Sequence, residues 1–169
     1  EWKPAAPGFE WSFPADHWSH AGYKTEWWYF TGHLHDRDNP AQRFAYQFTF
    51  FRVGLSPEAP ALDSDWACAN LVMGHAALAD LRTGEHVFSE LLYRATPHLA
   101  GFGTAPDPQL VWSRAPAGTD ARWTLDWNGN GFDFTMQDDA QGVAFALATT
   151  AAKPRIFQGP NGLSRKGDG

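Results

Sequence analysis

The chain carries one cysteine, Cys68, in 169 residues. No intrachain disulfide can form, and no cysteine-built zinc cluster is available. Between Ala67 and Ala69 the lone thiol reads as a small buried hydrophobe, and it leaves the redox compartment open. Long apolar runs are missing too. No window reaches the roughly 18 residues of a membrane span, so any membrane association is expected to be peripheral. Positive charge is scarce: 13 Lys and Arg stand against 19 Asp and Glu, a net charge of −6. Nucleic-acid binders carry a basic footprint, and here only Arg165 and Lys166 form a small basic spot, so nucleic acid is not expected as a partner. The Gly-x-Ser-x-Gly elbow of hydrolases and the Gly-rich phosphate loop are both absent. Ser12, Ser19, Ser56 and Ser64 have no evident His–acid partnership, and no cofactor is implied.

What is abundant is aromatic. Hydrophobic residues make up 43% of the chain and aromatic residues 15%, with nine Trp and thirteen Phe. That apolar share can build the core of one domain. Sixteen Gly and twelve Pro interrupt the chain too often for long helices.

Period-two alternation between turn signals is the dominant pattern. Trp27 to His35 reads as a strand with Trp28, Phe30 and Leu34 on one face and Trp27, Tyr29, Thr31, His33 and His35 on the other. After a turn at Arg37-Asp38-Asn39-Pro40, Phe44 to Val53 places Phe44, Tyr46, Phe48 and Phe50 opposite Gln47, Thr49 and Phe51. A long strand bent near Gly74 is expected over Trp66 to Leu81, then Val87 to Arg94, a loop from Pro97 to Pro108, and Leu110 to Ser113. The clearest hairpin joins Trp123–Trp127 to Phe132–Met136 through Asn128-Gly129-Asn130-Gly131, since Asn-Gly supplies the positive φ angles of a tight turn. Val143 to Thr150 follows. About eight strands without a convincing amphipathic helix predict an all-β, antiparallel barrel or sandwich. Eight strands closed into a barrel leave room for one small ligand. The surplus of rings favours walls around a hollow interior beside Trp28 and Gln47, whereas the plainer use of those rings is core filling.

The densest chemistry lies between Phe13 and Leu34. The runs FPADHWSH and YKTEWWYFTGHL, followed by YQFTFFR at 46–52 and GHAALADL at 74–81, resemble the AttH/carotenoid 1,2-hydratase lipocalin-like family. Its members include predicted secreted hydrolases and AttH components encoded beside ABC transporters. The resemblance covers the whole chain. Two departures stand out: Trp18 occupies a position where the family usually has Gly, and full-length members carry a second lipocalin-like barrel. It implies a lipocalin-like β-barrel over residues 1–155, with 156–169 as a linker toward that second barrel. The chain opens at Glu1 and is expected to be a trimmed product whose targeting segment is gone. An exported, periplasmic or membrane-associated location follows from the same resemblance.

The carotenoid branch of the family hydrates an isolated alkene. Such a hydro-lyase needs a proton donor, a site for a carbocation and a positioned water. Burial among rings raises a carboxyl pKa and keeps it protonated, but a weaker acid leaves much of the rate to cation stabilisation by ring faces and dipoles. Glu26 is the first candidate acid, because it shares the strand face of Trp28 and Phe30, where a charge needs a partner or a function. Its plainer role is a salt bridge to Lys24 or Arg52. Asp16 is the second candidate, or a turn cap. His75 is polar in an apolar strand and is the third, or a hydrogen-bonded core residue. Trp27, Trp28 and Tyr29 are candidates for holding ligand or cation, Tyr46 and Gln47 for positioning water or a ligand polar group, and Arg52 for an anion clamp or a strand-end charge. The pairs His33/His35 and His17/His20 have spacings seen in zinc sites, but no third ligand is evident. Two functions survive: a hydratase-like enzyme acting on a hydrophobic isoprenoid- or lipid-like molecule, and a non-catalytic carrier or accessory of an ABC transport system. They differ in side-chain direction. An enzyme should point a carboxyl into a ring-lined cavity, and a carrier should pair its carboxylates at the rim.

Overall fold

The computed structural model describes residues 1–164; Arg165, Lys166 and the end of the expected linker lie outside the described residues. Nine strands follow in order: β1 (Thr25–His35), β2 (Arg43–Gly54), β3 (Asn70–Asp80), β4 (His86–Arg94), β5 (Ala100–Phe102), β6 (Gln109–Arg114), β7 (Arg122–Trp127), β8 (Phe132–Asp138) and β9 (Val143–Ala148). Each pairs antiparallel with its chain neighbour, except that β4 and β5 part into separate sheets, β1–β4 and β5–β9. Among the described residues no strand ladder joins β4 to β5 or β9 to β1. The all-β antiparallel reading holds, and the ladders form two sheets rather than a closed ring.

One local expectation is corrected. The stretch expected as a loop contains β5, whose Gly101 lets the backbone pass under Trp112; a Cβ there would sit 2.8 Å from the indole nitrogen. Alternation could not reveal a three-residue strand with glycine at its centre. At Gly74, where a bend is expected, the pairing register is unbroken, with Phe50 on one side and Leu91 on the other. Gly74 serves the packing: an added Cβ would lie 3.0 Å from Leu91 and 3.1 Å from Trp123.

Alternation assigns the faces correctly. Along β1 the even-numbered residues turn inward and the odd-numbered ones outward. Phe48 and Phe50 of β2 meet Trp123, Leu125 and Phe134 of the second sheet, all at 0% exposure. The Phe134 ring stacks 4.9 Å from Phe48 and 4.7 Å from Phe30. Burial of each large apolar side chain contributes roughly 1.5–3 kcal/mol. The expected hollow interior is thus overturned, because inward rings of two face-packed sheets interleave and become the filling. Trp28 stacks on Phe102 and donates its indole N–H to the His17 carbonyl at 2.8 Å. Gln47 lies on the outer face of the first sheet, and neither side chain lines the clefts bordered by the arm, by the tail or by Tyr93 and Thr119.

Candidate functional site

The residues before β1 form an arm that folds back against the end of the first sheet where β1 begins and β2 ends. Its backbone is tied by Lys3 N–H to the Gly22 carbonyl at 2.9 Å and by Gly54 N–H to the Lys24 carbonyl at 2.7 Å. A single 3-10 turn, Ala15–His17, carries Asp16 and His17.

The β1–β2 register sets Glu26 opposite Arg52. Both point inward at the sheet's end, and Arg52 is only 1% exposed. A guanidinium that deeply buried needs its donors engaged, and four of its five N–H groups have acceptors. Its Nε donates to Glu26 Oε2 at 2.6 Å, Nη1 to Asn70 Oδ1 at 2.9 Å, and Nη2 to the carbonyls of His20, at 2.8 Å, and Tyr23. Glu26 Oε1 lies 2.6 Å from His20 Nδ1, and the His20 backbone N–H donates to both Glu26 oxygens at 2.8 Å. His20 Nε2 is 3.0 Å from Asp16 Oδ1, while Asp16 Oδ2 accepts from the Ser12 N–H. The result is a continuous chain from Asp16 through His20 and Glu26 to Arg52.

The electrostatics agree with that chain. The hydrogen bond to Glu26 raises the His20 pKa above the ordinary histidine value; burial opposes it, and Asp16 adds to the rise. Held between two carboxylates, the imidazolium donates on both sides. Burial pushes Asp16 upward, but the Ser12 amide, the His20 bond and the neighbouring histidine charges outweigh it and hold Asp16 below the usual carboxylate value.

Beside this chain opens a cleft of about 900 Å³. His20 and Glu26 stand in its wall with the rings of Phe9, Trp11 and Tyr23, and residues 159–164 complete it. Trp11 donates its indole N–H to the Asn161 carbonyl at 3.0 Å, and Asn161 Nδ2 returns a bond to the Phe9 carbonyl at 3.2 Å. Arm and tail therefore hold the cleft between them.

The other expected site residues are placed elsewhere. Trp27 and Tyr29, 59% and 56% exposed, stand on the outer face of the first sheet, turned away from Glu26. His75 is on that outer face as well, its ring 5.3 Å from Phe51 and 5.7 Å from Phe88. Gln47 Nε2 there reaches Thr49 Oγ1 at 3.4 Å. Tyr46 points inward toward Phe134 and Phe145, and burial raises its phenol pKa. Of the expected residues the structure gathers Asp16, Glu26 and Arg52. The joint between them is His20, whose only signal in the sequence is its zinc-like spacing from His17, and the His17 ring packs 4.4 Å from Trp127 instead. A sequence signal for the ion pair did exist: a hairpin turn centred on Asn39 pairs position 26 with position 52.

Residues 4–169 match the family model described as AttH-like. The chain is also similar to the crystal structure of a protein from Nitrosomonas europaea assigned as an AttH, with 27% identity and a TM-score of 0.73. The likeness covers 99% of this chain and 46% of that one, so the chain spans about half that protein's length. No curated protein matches.

Proposed function

The chain belongs to the AttH-like family, and on that premise we propose that it is a binding module that holds an apolar, isoprenoid- or lipid-like small molecule without transforming it. The observation that carries this reading is the ring-lined cleft whose ionisable wall is already satisfied from within. Its volume of about 900 Å³ is that of a small-molecule site. Phe9, Trp11 and Tyr23 offer large rigid surfaces, and aromatic side chains bury about 150–250 Å² each.

Hydration would ask Glu26 or Asp16 to pass a proton to a bound alkene. Each oxygen of Glu26 instead accepts bonds from Arg52 or His20, and both His20 ring nitrogens face carboxylates. Trp27 and Tyr29 point the wrong way to steady a cation there. In this reading Asp16, His20, Glu26 and Arg52 are positioning residues that fix the arm, with the carboxylates paired at the rim as a carrier requires.

The strands follow one another in the sequential order of a lipocalin-type meander, so the two sheets are taken as halves of a flattened lipocalin-like barrel. The binding mouth then lies at the end capped by the arm. In a longer protein of the Nitrosomonas plan the module would act beside a second lipocalin-like barrel. It would be exported, serve an ABC transport system and collect apolar cargo by peripheral contact with a membrane.

The test is a fluorescence titration with the neutral apolar probe N-phenylnaphthylamine on the native chain and on Phe9→Ser/Trp11→Ser. Saturable binding that the double substitution abolishes supports the reading. Binding that is absent, or indifferent to the substitution, overturns it. Water addition to an isoprenoid alkene that disappears in Glu26→Gln would restore the hydratase.

A further inference from the structure

On the other side of Trp11 lies a second cleft, of about 800 Å³, which shares only Trp11 and Gly162 with the first. We propose that it is a binding site for an organic anion with a flat apolar body. The inference is independent of the apolar-cargo reading.

Three observations converge on it. First, the sign of the charge is unexpected. In a chain of net charge −6, the wall of this cleft contains Lys153 and Arg155 and no Asp or Glu. Among the described residues no carboxylate lies within ion-pair distance of either cation. Basic residues on an exposed tail commonly do no more than solubilise it, but Arg155 is not left to solvent alone. Its guanidinium carbon sits 4.3 Å above the ring of Phe13, so the ring's negative face holds a cation at the cleft.

Second, the remaining wall is aromatic. Phe13, His17, Trp127 and Phe132 form one continuous group, with His17 4.8 Å from Phe13, 4.4 Å from Trp127 and 5.0 Å from Phe132. Rings beside cations match a ligand that has both a planar apolar body and a negative group. A purely apolar ligand would leave both cations unused, and a small inorganic ion would leave the rings bare.

Third, His17 Nε2 is shut off from solvent and has no hydrogen-bond partner among the described residues. Burial first, and then the nearby charge of Arg155, hold the His17 pKa below the ordinary histidine value. The imidazole is therefore neutral near pH 7, and Lys153 and Arg155 supply the positive charge of the cleft.

A matched pair of probes tests the inference. Anilinonaphthalene sulfonate and N-phenylnaphthylamine share a ring system, and only the first carries an anion. The native full chain should bind the sulfonate. The double substitution Lys153→Gln/Arg155→Gln should weaken that binding about tenfold, the loss expected on removing a charge-assisted contact. Both side chains are exposed, so the variant should keep the native thermal transition. Affinity for the neutral probe should be unchanged. Failure of the native chain to bind the sulfonate, or equal sulfonate affinity in native and variant chains, overturns the inference. Loss of neutral-probe binding in the native chain would instead strike the apolar-cargo reading and leave this one standing.

Discussion

Replacing Arg52 with Met keeps the aliphatic stem and removes the guanidinium. In the native chain that group is 1% exposed and bonds to Glu26, Asn70 and two arm carbonyls. Its loss leaves Glu26, with a side chain only 16% exposed, without its guanidinium partner and with His20 as its one remaining cation. Removing one partner of a buried ion pair costs about 3–5 kcal/mol. An exposed pair would cost about 0–1 kcal/mol, so the two cases separate cleanly. For a chain of this size each kcal/mol lowers the melting temperature by roughly 2–4 °C, which puts the expected fall at about 6–20 °C. Urea unfolding followed by tryptophan fluorescence measures the loss directly. Glu26→Gln/Arg52→Met completes a double-mutant cycle. Because the second substitution removes the stranded charge, the double variant should be less destabilised than the sum of the single ones. A loss below about 1 kcal/mol for Arg52→Met, or strict additivity in the cycle, would refute the argument that this network fastens the arm.

Two further predictions address the network and the core. The raised His20 pKa adds stability that is fully present below the unfolded value of 6.5 and is lost as pH rises through the folded-state value. The difference in urea midpoint between the native chain and His20→Gln should therefore shrink from about pH 6 to about pH 9; a gap that widens would reverse the assigned sign. His17, shifted downward, weakens the fold toward acid, but it is present in both chains and cancels from the comparison. In the core, Trp123→Ala should cost about 3–5 kcal/mol because a fully buried ring leaves a cavity. Calorimetric melting would show it, and a loss below about 1 kcal/mol would contradict a solid interior.

Alternation made the sheets legible. It set Trp28 and Phe30 inward, Trp27 and Tyr29 outward, and found the Trp127–Phe132 hairpin through a turn in which Gly129 has φ +95°. Whether inward rings wall a cavity or fill one was not legible, because periodicity fixes a side chain's face and leaves open how closely the two sheets approach. Phe134 is wedged between Phe30 and Phe48 by that approach alone. The site divides in the same way. Glu26 and Arg52 share a ladder, so turn position could pair them, whereas His20 lies on an arm without periodicity and is placed by hydrogen bonds to Asp16, Glu26 and Arg52. The face of His75 was not legible either, because a polar residue in an apolar strand looks the same from both sides.

The commitment of one guanidinium to both strand and arm has a mechanical consequence. Arg52 grips the carbonyls of His20 and Tyr23 while bound to Glu26, so the arm cannot fray one contact at a time. Letting go of either carbonyl leaves a charged N–H group without an acceptor in the protein's interior. The N-terminal segment thus acts as a latch that is either shut or torn open, and the cleft it borders is as durable as the sheet to which it is bolted.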